Sequence, residues 1–224
     1  MYHLYSICSI IPDVLHESVK TRFIEGSALF MSFIALTLII GLAFCLERII
    51  YLNLSQINAK KFLYRIEDFL KQHDIEGAKS VARDTRGPVA SITYQALMRI
   101  DEDVNEIDRA ITSCGSVQAG LLEKNLSWIS LFIAVAPSLG FLGTVLGMIQ
   151  SFDNIQQAGD MNPVVIAGGM KFALITTVAG LIVAIVLQFF YNYLLNKIEE
   201  IVGEMEDSSI SLLDIVIQKK RSRR

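Results

Sequence analysis

Charged side chains are scarce in this 224-residue chain, where Asp, Glu, Lys and Arg together make up 19% of the residues. An average soluble domain carries about 25%. The scarcity is local. Residues 26–46, 125–152 and 172–196 contain no Asp, Glu, Lys, Arg or His, so each is an uncharged run. Soluble buried helices rarely run so far without a charge, and a bilayer-spanning helix needs about 20 apolar residues. The three histidines (His3, His16, His73) are scattered and the three cysteines (Cys8, Cys45, Cys114) have no ligand-type spacing. That argues against a disulfide framework and disfavours a metal centre. No GxxxxGK[ST], HExxH or GxSxG pattern occurs, so no enzyme and no cofactor is expected. A net charge of −3 disfavours nucleic-acid binding, and 52% apolar content disfavours disorder.

What is present reads as an all-α membrane protein. The spans are placed at residues 27–46, 128–150 and 172–194. About 21 residues at 1.5 Å each give roughly 31 Å, which matches the hydrocarbon core. Lys and Arg number two in residues 1–26, eleven in 47–127, one in 150–171 and six in 195–224. Positive charge stays on the cytoplasmic side. This puts an N-terminal segment (1–26) and a short hairpin (151–171) in the periplasm, and a large segment (47–127) and the tail (195–224) in the cytoplasm. The first span starts late and has no basic run directly before it, so it reads as a span, not a cleaved signal. A short interfacial helix is expected over Pro12–Glu25.

The cytoplasmic segment lacks strand-type alternation. Ile57, Leu63, Ile66, Phe69 and Leu70 recur at helical spacing. Residues 73–78 look like a helix end and restart, and Arg86-Gly87-Pro88 is a break. A further helix is expected over Val89–Arg99, and another from near Asp101–Asp103 that runs straight into the second span. Asn162-Pro163 suits a helix start. In the tail, Ile198, Ile201, Val202, Met205, Leu212, Leu213 and Val216 form an apolar stripe. It needs a partner, either elsewhere in this chain or in a second copy. The basic run Lys219–Arg224 reads as an anchor for anionic membrane lipids.

The chemistry is expected in the second and third spans. Ala136, Gly140, Thr144 and Gly147 fall on one face, with Gly143 beside them. Ala173, Thr177, Gly180, Ala184 and Gln188 share a face of the third span, with Thr176 beside it. Small residues let helices approach closely in lipid, so the glycines and alanines read as packing. Thr144, Thr176, Thr177, Ser138 and Gln188 are candidates for lining an ion path. The alternative is that each hydroxyl simply bonds its own helix. Pro137 removes a backbone donor and predicts a kink. No span holds a titratable group, which a proton path usually needs. A proton-conducting reading therefore requires a carboxylate from another chain.

Two long motifs carry a resemblance. Ala136-Pro137-Ser138-Leu139-Gly140-Phe141-Leu142-Gly143-Thr144-Val145-Leu146-Gly147-Met148-Ile149, followed by Phe152, resembles the second-span signature of the ExbB/TolQ/MotA proton-channel family. Ala173-Leu174-Ile175-Thr176-Thr177-Val178-Ala179-Gly180-Leu181-Ile182-Val183-Ala184-Ile185, followed by Tyr191-Asn192, resembles its third-span signature. Three spans are similar to the ExbB and TolQ branches. The resemblance implies a homopentamer in the bacterial inner membrane around single-span ExbD/TolR-like subunits. An Asp of that partner would carry the proton beside Thr144 and Thr177, driving a TonB- or TolA-like transducer. An ExbB-like role in outer-membrane import is the first expectation, from the third-span ending Gln188 to Leu194. A TolQ-like role in envelope integrity and a non-conducting scaffold are the alternatives. Protons are the expected ion, ahead of sodium. One departure stands out: Phe172 occupies the place where many relatives carry a Glu.

Overall fold

The computed structural model describes residues 28–158 and 163–222. Seven helices occupy them: α1 (Ala28–Ser55), α2 (Ala59–Lys71), α3 (Ile75–Asp84), α4 (Pro88–Met98), α5 (Val104–Glu123), α6 (Leu126–Ala158) and α7 (Pro163–Ser222). Helices α1, α6 and α7 are long and apolar enough to cross a membrane. The chain is an all-α, multi-pass membrane protein, with three such helices among the described residues. The interfacial helix expected over Pro12–Glu25 lies outside the described residues, as do His3, Cys8, His16 and Asn162.

The chain divides into two compact units, residues 1–45 with 127–191 and residues 46–126 with 192–224. In the second unit, short helices surround a common apolar core. Asn58 caps α2 by accepting from the Lys61 N–H at 3.0 Å, an N-cap of the usual kind. Phe62, Leu63, Ile66 and Leu70 then recur at helical spacing and are buried. His73, at φ 63°, ends that helix. Asp74 starts the next by accepting from the Gly77 N–H at 2.8 Å. Gly87 takes φ 117°, which an L-residue resists, and Pro88 opens α4 with its preset φ.

The apolar stripe of the tail finds its partner within the same chain. Met205, Leu212 and Val216 of α7 join Ile66, Leu70, Ile92, Leu97, Ile107 and Ile111 in one core. Two residues of the basic end, expected to anchor lipid, have partners within the chain. Lys219 Nζ donates to the Leu70 carbonyl and Lys220 Nζ to the Glu102 carbonyl. Both acceptors are backbone carbonyls, each with two lone pairs to offer, so they compete with a lipid headgroup for these two ammonium groups.

Helix α5 does not run straight into the second span. It ends at Glu123, and α6 starts at Leu126 after a break in which Asn125 adopts φ 67°. Asn tolerates this left-handed geometry better than most residues. The break is braced by the buried Arg48, which donates to Glu47 at 2.6 and 2.8 Å and to the Leu121 carbonyl at 3.4 Å. The Asn125 amide also donates to Glu47, at 3.3 Å. Arg48 lies 4.6 Å from the Tyr51 ring centroid, close enough for cation–π attraction.

In the first unit, α1 packs on the other two long helices. Gly41 lies against Leu187 of α7, where an added Cβ would stand 2.8 Å from the Leu187 methyls. Phe44 stacks on Trp128 and Phe132 of α6, with centroids 6.4 and 6.2 Å apart. Helix α6 continues through Pro137. The missing N–H leaves the Ile133 carbonyl without its usual helical donor. Cys45 and Cys114 are free thiols.

Candidate functional site: a hydroxyl cluster between two long helices

The α6–α7 seam is built from absent side chains. A Cβ on Gly180 would stand 2.5 Å from the Ala136 carbonyl oxygen and 3.2 Å from the Gly140 Cα. One on Gly140 would meet the Thr176 carbonyl at 3.0 Å and the Thr177 Cα at 3.1 Å. One on Gly143 would meet the Thr176 hydroxyl at 2.6 Å, and one on Gly147 the Phe172 ring at 2.5 Å. Backbone therefore touches backbone along this seam, as small-residue interfaces permit in lipid. Ala136 and Ala173 are buried in it, and Ala184 is buried further along α7.

Close approach brings hydroxyls and carbonyls of both helices together. The Thr144 and Thr177 hydroxyls hydrogen-bond each other. Thr144 Oγ1 is also within reach of the Gly140 carbonyl at 3.2 Å and the Ala173 carbonyl at 3.1 Å. Thr177 Oγ1 shares the same two acceptors, each at 3.3 Å. The fully buried Thr176 donates to the Ala173 carbonyl at 2.9 Å. Each hydroxyl has one proton to give. The protons of Thr144 and Thr177 thus have more acceptors than they can serve at once, so the cluster can exchange donors without moving an atom heavier than hydrogen. Oxygens from two helices form a compact, electron-rich site with no titratable side chain of its own.

Not every expected hydroxyl joins it. Ser138 is exposed and donates to the Ala134 carbonyl of its own helix at 2.8 Å. Its offset from Thr144 in the sequence rotates it by about 240° around the helix. Gln188 is exposed on α7 and lies well beyond Thr177, roughly 16 Å along the axis. Two features of this seam had no signal in the spacing. Phe172 covers Gly147, and Ser151 continues the Thr144–Gly147 face to a contact with Gly169. No group of His, Cys, Asp or Glu fit to hold a metal occurs among the described residues.

The fold and the seam define a class: a polytopic helical membrane protein with a cluster of hydroxyls and carbonyls shared between two of its long helices. Residues 84–207 match the MotA/TolQ/ExbB proton channel family, and the chain belongs to that family. Its similarities place it on the ExbB-like branch. An ExbB homolog of Methanothermobacter thermautotrophicus is 29% identical over 169 residues, covering 75% of this chain and 60% of the relative. The biopolymer transport protein ExbB of Aquifex aeolicus is 42% identical over 79 residues, 35% of this chain and 53% of that one. The Helicobacter pylori protein of the same description is 41% identical over 76 residues, 34% of this chain and 52% of that one. The chain thus spans between half and three fifths of the length of these relatives.

Proposed function

We propose that this chain is the pore-forming subunit of a proton-driven transport motor. Five copies assemble in the bacterial inner membrane, with the N-terminus periplasmic and the C-terminus cytoplasmic. The pore encloses single-span ExbD/TolR-like subunits, and a TonB-type transducer takes up the work for import across the outer membrane. The observation that carries the reading is the Thr144–Thr177 cluster, set in spans that hold no Asp, Glu, Lys, Arg or His. Hydroxyls and carbonyls can pass or hold a proton carrier. Something else must bind and release the proton, because intramembrane proton paths run through titratable groups. A partner carboxylate next to the cluster supplies that group. The chain performs no covalent chemistry and needs no cofactor.

The test is proton flux into vesicles containing the complex with its partner. Thr144→Val and Thr177→Val keep the side-chain volume and remove the hydroxyl. Each is expected to reduce flux at least about tenfold, the effect of losing one charge-stabilising hydrogen bond, with the subunit composition unchanged. Wild-type flux in both variants would refute the pore role and favour a non-conducting scaffold.

A further inference from the structure

Ser151 is the one hydroxyl in the seam that the cluster does not explain. It is 3% exposed, and its Oγ has no hydrogen-bond partner among the described residues. Other hydroxyls on the long helices bond a carbonyl one turn back: Thr37 to Phe33 at 2.9 Å, Ser138 to Ala134 at 2.8 Å and Thr144 to Gly140 at 3.2 Å. Ser151 does not bond Gly147 this way. Its Oγ occupies the notch over Gly169 where a side chain would otherwise begin, and the Gly147 carbonyl borders the same notch, 3.0 Å from that Cβ position. A buried, unpaired hydroxyl is unfavourable, and a methyl-bearing residue would avoid it. The position therefore holds two lone pairs and a proton in reserve, and the Gly147 carbonyl oxygen borders the same notch. That is a recognition pattern for water, which donates to one and accepts from the other.

Ser151, Gly147 and Thr144 follow one another at four- and three-residue spacing, so they share a face of α6. The Phe172 ring lies on Gly147, between the two polar stations. We infer that Ser151 and the Gly147 carbonyl form an outer hydration site for one water, neutral or as hydronium, and that the Phe172 ring gates its connection to the Thr144–Thr177 cluster. An apolar ring across a narrow polar path blocks it by excluding water. The inference rests on the pore reading proposed above.

The test uses the complete complex in vesicles, with S151A, S151C, F172A and T177V. S151A and S151C are expected to lower flux about tenfold with subunit composition unchanged, and F172A to raise resting flux. The S151C thiol is expected to react with a charged, water-borne thiosulfonate, and faster when combined with F172A. Where T177V loses flux, wild-type flux in both Ser151 variants would overturn the inference. Loss of flux in T177V in the same series would leave the pore reading intact. Should T177V conduct like wild type, the pore reading falls, and the thiol decides the hydration site by itself. An unreactive S151C thiol in both backgrounds overturns it, and a reactive one upholds it.

Discussion

Gly180→Ala puts the α6–α7 seam under the most direct strain available. The new methyl would stand 2.5 Å from the Ala136 carbonyl oxygen and 3.2 Å from the Gly140 Cα. Both are backbone atoms, so no side-chain rotation relieves the overlap. Ordinary contact begins at 3.4 Å, and the helices must part to restore it. A gap of about 0.5–1 Å forfeits roughly a quarter to a half of each dispersion contact, and overpacked sites typically lose about 1–3 kcal/mol. The interhelical bonds from Thr144 to Ala173, at 3.1 Å, and from Thr177 to Gly140, at 3.3 Å, would stretch past bonding distance. Interhelical bonds in membranes average about 0.6 kcal/mol each. The total loss is about 2–4 kcal/mol. Gly203→Ala is the control, because its methyl would meet nothing within 4 Å. Replacing that helical glycine should stabilise by about 0.5–1 kcal/mol. Thermal unfolding of the detergent-solubilised protein, read by helical signal, should move the two variants in opposite directions. Equal shifts, or a neutral Gly180→Ala, would refute the backbone-contact seam.

Further expectations concern the second unit. Arg48→Ala removes the brace of the Leu121 carbonyl and the contact with Tyr51. It should destabilise the α5–α6 break by about 1–3 kcal/mol, seen as faster amide exchange near residues 121–126. The Glu47 carboxyl is held below its ordinary value of 4.5, chiefly by its hydrogen bond with Arg48. A depressed folded value contributes stability above the unfolded value, and that contribution is lost as pH falls through the folded one. Acid should therefore loosen this junction only below the ordinary value of 4.5, and Glu47→Gln should abolish the pH dependence of exchange there. Replacing Lys219 and Lys220 together with Met should release the end of α7 and raise exchange at residues 70–73 and 99–103. If exchange there is unchanged while liposome binding drops, the lysines act on lipid after all.

The three long helices are legible in the sequence because an uncharged run of about 20 residues seldom occurs outside a membrane-spanning helix. The helix restart at residues 73–78 and the break at Gly87-Pro88 follow from local residue chemistry, whereas Asn58, which caps α2, stands inside a run whose apolar spacing continues past it. The break at Asn125 carries no Gly or Pro, and it depends on Arg48, which is remote in the sequence. Only the tertiary fold brings them together. The clustering of Thr144 with Thr177 is readable from helical faces, since both sit on small-residue stripes. Ser138 shares their residue type, but its helical angle turns it elsewhere. Ser151 carries no signal of its own, because sequence cannot tell whether a hydroxyl reaches its own carbonyl. The tail lysines resemble a lipid anchor because a terminal basic run usually is one. Their carbonyl acceptors lie on segments distant in sequence.

The central claim is that this chain forms a pore lacking its own proton-carrying group, which a partner provides. Native mass spectrometry of the complex, extracted in mild detergent from its own host through a tag on this chain, tests it most directly. The expected result is five copies together with one or two small single-span subunits whose membrane helix bears an Asp. A monomer, a dimer, or a pentamer that never retains such a partner would contradict it.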